Sequence, residues 1–225
     1  MGDSIQFGIL GPVTESTATG STAKPHRLTR KGRATRDRIL QAATDLIAQH
    51  GVAGTATEDV RRAAGVSGSQ LYHYFDSKRA LVRAVITRQA DAPPVPGQPI
   101  MGSLDSFEAL RAWADAAIER QEQNGGRGEC TLGSLAGELS ATDQGTLDDL
   151  SKGFLRWQGL LHEGLAAMKE RGELRADADL DELSLSLLTA LQGGNILSQT
   201  LGNAAPLRAS MNAALSHIRA YLAPA

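Results

Sequence analysis

Between Thr35 and His50 the apolar residues fall at Ile39, Leu40, Ala43, Leu46 and Ile47. That i, i+1, i+4, i+7, i+8 spacing puts them on one face of a helix. Thr35 can cap its start, and Gly51 ends it in the left-handed conformation. A shorter helix is predicted from about Thr57 to Ala64, with Thr55 and Glu58 spaced as a capping box and Gly65 closing it. Ser67 caps a third helix running to about Tyr74. Asp76 or Ser77 opens a fourth, with Leu81, Val82, Val85 and Ile86 as its buried stripe. Four of the eight prolines then crowd into residues 91–102, and no helix crosses that stretch. Helical spacing resumes with Phe107, Leu110, Trp113, Ala114, Ala117 and Ile118, and is broken at Asn124-Gly125-Gly126. Further helices are predicted at Leu132–Leu139, Leu147–Arg171, Leu180 to about Leu201, and Pro206–Leu222. No repeat of fixed period is present.

The pattern is all-α. Composition agrees: Leu and Ala far outnumber Val and Ile, and aromatics are 4%. The single cysteine, Cys130, excludes an intrachain disulfide and a cysteine-rich zinc site. With no Lys, Arg or His within two residues to activate it, Cys130 reads as a buried small hydrophobe rather than a redox sensor. No apolar run approaches a membrane span, and the first residues do not form a secretory signal, so the expected compartment is the cytoplasm.

The net charge of −2 hides a split: residues 24–90 carry +8 and residues 91–225 carry −8. Lys24, Arg27, Arg30, Lys31, Arg33, Arg36 and Arg38 lie within fifteen positions. Such a run is either a solvated tail or an arm that neutralises phosphates. Residues 1–23, rich in Ser, Thr and Gly, read as disordered. Three units are therefore expected: a tail over 1–33 with its basic arm at 24–33, a module suited to a polyanion over 34–80, and a helical domain over 81–225.

The corner Ala63-Ala64-Gly65-Val66-Ser67 has the form of a helix-turn-helix: glycine for the turn, valine to plug it, serine to cap the next helix. Ser67-Gly68-Ser69-Gln70-Leu71-Tyr72-His73-Tyr74-Phe75-Asp76-Ser77-Lys78-Arg79-Ala80-Leu81 follows, with three of the nine aromatics in four positions. This stretch, with the first helix and Gly51, resembles the signature of the tetracycline-repressor (TetR/AcrR) family of bacterial transcriptional regulators over about residues 35–85. Leu71 and Phe75, four apart, share a buried face. The resemblance implies that Ser67, Gly68, Ser69, Gln70 and Tyr72 face the DNA groove, that Tyr74 or His73 and Lys78 meet phosphates, and that Arg33, Arg36 and Thr55 add contacts. Gln70 has the chemistry for a bidentate bond to adenine. Gly68 and Ser69 reach little, which shifts weight to DNA shape. Arg61 stands where the family usually has a small residue; it either reaches a phosphate or is a solvated charge.

Beyond residue 91 the resemblance implies a ligand-binding and dimerisation bundle. Gly128–Leu139 and Leu191–Gly194 are similar to a subgroup that includes regulators of multidrug-efflux and flavonoid-responsive genes. Pocket candidates are Trp113, Phe154, Trp157, His162, Met168, Gln192 and Asn195, although Trp and Met on apolar stripes also serve simply as core. Leu183, Leu187 and Leu191 with Met211, Leu215, Ile218 and Leu222 are the expected dimer stripes. Gly193-Gly194 either lets backbones approach or lines a pocket. The expected function is a homodimeric repressor that leaves a palindromic operator when a small apolar effector binds. The alternative is a helical small-molecule-binding protein or enzyme whose basic N-terminus binds nucleic acid without specificity. The five histidines show no metal-ligand spacing, and no phosphate-loop, dinucleotide or nucleophile-elbow motif occurs, so neither cofactor nor catalysis is expected.

Overall fold

A computed structural model describes residues 28–92, 104–125, 131–139 and 144–224. These form nine helices: α1 (Arg30–His50), α2 (Thr57–Ala64), α3 (Gly68–Tyr74), α4 (Lys78–Asp91), α5 (Phe107–Gln123), α6 (Thr131–Leu139), α7 (Gln144–Glu170), α8 (Leu180–Leu201) and α9 (Ala205–Arg219). One isolated antiparallel bridge joins Leu174 to Leu222. The tail over 1–27, the proline-rich stretch and Cys130 lie outside the described residues.

The helix ends follow local chemistry, with three departures from expectation. α1 begins five residues before Thr35. Its cap is Thr29, whose Oγ1 accepts from Gly32 N at 3.1 Å, while the Thr35 hydroxyl donates back to Lys31 O. Arg30, Lys31 and Arg33 are therefore helical, and the expected boundary at residue 33 falls inside α1. α2 is capped by Ala56 without a side-chain bond. Thr55 is buried, and its hydroxyl donates to Gly51 O at 2.7 Å. α9 stops at Arg219, short of Leu222, because Leu222 pairs with Leu174. Ser67, by contrast, forms a complete capping box with Gln70, and of the two candidates for α4 it is Ser77 that caps.

α1, α2 and α3 close around Ile39, Leu40, Ala43, Val60, Val66, Leu71 and Phe75. α4 packs on α1 and also on α7. In the remaining helices the most extensive pairing is α8 with α9. Leu183, Leu187, Leu191, Met211, Leu215 and Ile218 are all buried within this one chain. The stripes expected to hold two copies together are thus the seam between α8, α9 and their own neighbours. Helical periodicity identifies an apolar face but not the copy of the chain that covers it.

Gly194 shows how close that seam is. A Cβ there would lie 2.8 Å from Leu207 Cα, and would also meet Ser210 Oγ. Of the two readings of Gly193-Gly194, close approach holds for Gly194, whereas Gly193 is exposed. Gly194→Ala is expected to cost about 1–3 kcal/mol through overpacking. Gly159→Ala, inside α7 with open space at the Cβ position, should gain about 0.5–1 kcal/mol from helix propensity. Urea unfolding of both variants checks the contrast.

Candidate nucleic-acid interface

The α2–α3 corner is held by more than its glycine. Gly65 has a left-handed backbone (φ 62°). Val66 N donates to Arg61 O at 3.2 Å, and the Arg61 guanidinium donates to Val66 O at 3.2 Å. The same guanidinium pairs with Glu58, which holds the Glu58 carboxyl below its ordinary value through that hydrogen bond. Arg61 is thus the clamp of the turn. Rather than a free solvated charge, its guanidinium is engaged within the turn and stays about one-third exposed. Glu58, expected in a capping box with Thr55, serves this clamp instead.

α3 is anchored by Leu71 and by its C-cap Phe75, both buried. The opposite side is polar and exposed: Ser67, Ser69, Gln70, Tyr72 and His73, with half-exposed Gly68 facing open space. Tyr72 is 58% exposed, an unusual position for an aromatic ring with no neighbour to cover it. The serines and Gln70 are ordered by the cap. Ser67 Oγ accepts from Gln70 N and pairs with Ser69 Oγ at 3.0 Å, while Gln70 Oε1 accepts from Ser67 N at 2.9 Å. Its carbonyl oxygen already accepts one bond, which leaves Gln70 its amide N–H groups and a second lone pair to offer a base.

Further candidates are placed less simply. Tyr74 is half-buried against the core, and its hydroxyl lies 3.4 Å from where a Cβ of Gly32 would sit. His73, not Tyr74, is the freer of the two; their rings meet edge to face at 5.0 Å. Arg36 stacks over the Phe75 ring at 5.3 Å, a cation–π contact that fixes its guanidinium beside the recognition helix. Lys78 opens α4, half-buried beside exposed Arg79. Arg33 is exposed on the first turns of α1 and donates to Leu28 O at 2.7 Å. Thr55 is the exception. It is 3% exposed and its hydroxyl is engaged by Gly51, so it supports the turn and presents nothing to a groove.

The pocket candidates are more scattered. Trp113 and Met168 are buried in the core. Trp157 is buried too, and its indole N–H is shared between Ala90 O and Ala92 O, each at 3.2 Å. It therefore ties α7 to the end of α4. Phe154 packs edge-on against Trp157 at 6.2 Å. His162 is half-exposed, 3.6 Å from Asp181. Gln192 is half-buried and Asn195 is buried, both on α8. The structure brings Phe154 and Trp157 together. Surface grooves among the described residues lie between α1 and α4, between α5 and the α8–α9 turn, and beside α2, and these are not lined by the candidates.

Two family models match this chain: "Bacterial regulatory proteins, tetR family" over residues 39–85, and "Tetracyclin repressor-like, C-terminal domain" over residues 106–214. The chain belongs to the TetR family. It is a DNA-binding transcriptional regulator. Relatives of this TetR-family protein include the HTH-type transcriptional repressor DhaR of Mycobacterium sp. (strain GP1), 25% identical over 76% of this chain and 86% of DhaR. The HTH-type transcriptional repressor KstR2 of Rhodococcus jostii is 28% identical over 65% and 71% of the two chains. Among solved structures, a TetR regulator from Chloroflexus aurantiacus matches 88% of this chain and all of its own, with a TM-score of 0.70 at 23% identity. Escherichia coli NemR in its reduced form matches 84% of this chain and 98% of its own, with a TM-score of 0.69 at 22% identity. These relatives are regulators rather than enzymes, and they do not favour the reading of a helical binder with an adhesive tail. The matches are to the family as a whole and do not single out the multidrug and flavonoid subgroup. Among the described residues no helix is long and apolar enough to cross a membrane, and no group of three potential metal ligands occurs.

Two tyrosines two positions apart separate recognition from packing. Tyr72→Ala should leave the thermal melt within about 0.5 kcal/mol of wild type, while weakening binding to a preferred duplex. Tyr74→Ala should destabilise the protein by about 1–3 kcal/mol. Calorimetry alongside a gel shift reads both.

Proposed function

We propose that this protein is a homodimeric repressor that holds a palindromic operator and releases it when a small apolar effector enters the helical domain. The observation that carries the reading is α3: a short helix with a buried Leu71–Phe75 anchor and an exposed polar edge of Ser67, Ser69, Gln70, Tyr72 and His73. The named repressors DhaR and KstR2 among its relatives support repression. One such helix holds DNA weakly; two related by a two-fold axis read half-sites about 34 Å apart.

A second copy has a surface to meet. Leu185, Ile196, Leu197 and Leu201 of α8 are each about half exposed or more, an outer apolar surface that this chain leaves uncovered. Small exposed residues of α9, Ala209 and Ala213, extend a face that another copy could approach closely. We assign dimerisation to this outer face rather than to the buried stripes.

Release requires the effector to move α3. α4 is grasped from α7 by the Trp157 indole, by Arg83 to Asp149 at 2.6 Å and by Arg156 to Asp91. The other end of α4 follows α3 after Asp76 and Ser77. An effector that displaces α7, with Phe154, Trp157, His162, Gln192 or Asn195 among its contacts, would carry α4 and change the spacing of the two recognition helices. To shift the population from 1:99 to 99:1 it must prefer the released state by about 10⁴-fold, or about 5.5 kcal/mol.

Sequencing duplexes selected from a random pool by the purified protein is the direct test. A palindromic consensus retained against competitor DNA is expected; equal affinity for random duplex would refute the proposal. Leu197→Glu should convert the dimer to monomer in sedimentation and lower operator affinity with it. Replacing Arg30, Lys31 and Arg33 with Ala should flatten the dependence of log K on log salt by about 0.9 for each phosphate that is no longer neutralised.

A further inference from the structure

Helix α6 turns Leu132, Leu135 and Leu139 inward, all buried. A Cβ added at Gly153 of α7 would meet Leu132 at 3.1 Å, so α6 is set directly against α7. Its sequence, Thr-Leu-Gly-Ser-Leu-Ala-Gly-Glu-Leu, contains one charged residue, Glu138. That side chain leaves the bundle and reaches the DNA-binding domain. Glu138 Oε2 accepts from Val52 N at 2.7 Å, and Oε1 accepts from Ala53 N at 2.6 Å.

The recipient turn is shaped for this carboxylate. Gly51 ends α1 with φ at 70°, and the two N–H groups that follow converge on one anion. Successive N–H groups of this kind form a concave anion site, and bonds to an ionised carboxylate are stronger than neutral ones. A Cβ at residue 51 would stand 3.1 Å from Glu138 Oε2. The glycine therefore suits the turn twice, for its backbone and because a Cβ there would press on the Glu138 carboxylate.

Val52 and Ala53 lead into a stiff path toward the recognition helix. Thr55 braces the turn through Gly51 O, α2 follows, and Arg61 clamps Val66 just before Ser67. We propose that Glu138 is a positioning residue: through its two hydrogen bonds it transmits displacement of α6 to the α1–α2 turn and so to α3. This is a link between the domains separate from α4. It rests on the regulator reading given above. Coupling of this kind is reciprocal, so DNA held at α3 must also act on α6.

Amide exchange by NMR on the full-length wild type, Glu138→Gln and Glu138→Ala tests this in two arms. In Glu138→Gln the shape is kept, but the amide NH₂ opposes one of the two N–H donors. Without DNA, exchange at Val52 and Ala53 should rise about tenfold or more in both variants, with α8 and α9 unchanged. With saturating amounts of the selected duplex, amides of residues 131–139 should change their exchange in the wild type and lose that response in both variants while DNA remains bound. Unchanged exchange at Val52 and Ala53, or an α6 response that persists in both variants, overturns the proposal. If the wild type does not prefer the selected duplex over random duplex, the regulator reading falls and the transmission with it. The DNA-free arm still reports separately whether Glu138 holds the turn.

Discussion

The largest contact between the two halves of this protein depends on α4 being buried from two directions. Leu81, Val82, Val85, Ile86 and Ala90 are all buried along its length, and α1 and α7 both contribute to covering them. A helix in that position cannot move relative to one neighbour without uncovering apolar surface on the other, at roughly 25 cal/mol for each Å² exposed. The polar contacts along it add direction to this constraint. On the α7 side are the Trp157 indole and two arginine–aspartate pairs; on the α1 side Arg88 reaches Gln41 and the Asp37 carbonyl. α4 is consequently a rigid lever between core and reading head, and flexibility has to be sought at its ends.

The reading head itself is built by over-determining a very short helix. Seven residues have almost no intrinsic helical stability in water. α3 persists because its first turn is capped reciprocally by Ser67 and Gln70, its end is fixed by buried Phe75, and the turn before it is clamped by Arg61. Most of the polar atoms near the N-terminus are engaged in this architecture. What remains exposed is the ring of Tyr72, the imidazole of His73, the amide of Gln70 and the surrounding basic side chains. Such an inventory favours backbone and shape recognition over a dense set of base contacts.

α8 shows that one helix can satisfy two demands at once. Its inner side, Leu183, Leu187 and Leu191, completes the core, and Gly194 lets α9 approach to near contact. The same helix keeps Leu185, Ile196, Leu197 and Leu201 in solvent. Apolar residues on both sides of a helix leave one side uncovered by the monomer's own packing, and exposed apolar surface that clusters on one element marks an interaction site.

The succession of helices was legible from the chain alone, because 3.6-residue periodicity, capping side chains and left-handed glycines are local properties. Ser67, Gly65, Leu71 and Phe75 announced the helix-turn-helix without any coordinates. The same local rules failed where two residues competed for one role: Thr29 caps α1 in place of Thr35, and Thr55 braces Gly51 rather than capping α2. Tertiary structure decided what no local pattern encodes, namely which apolar stripe of α8 faces inward, that Trp157 holds the end of α4, and that Glu138 reaches back some 86 residues to Val52. The reason is physical. Periodicity records that a face must be covered and charge records that a group must be paired, but the partner is selected by three-dimensional packing between segments far apart in the chain.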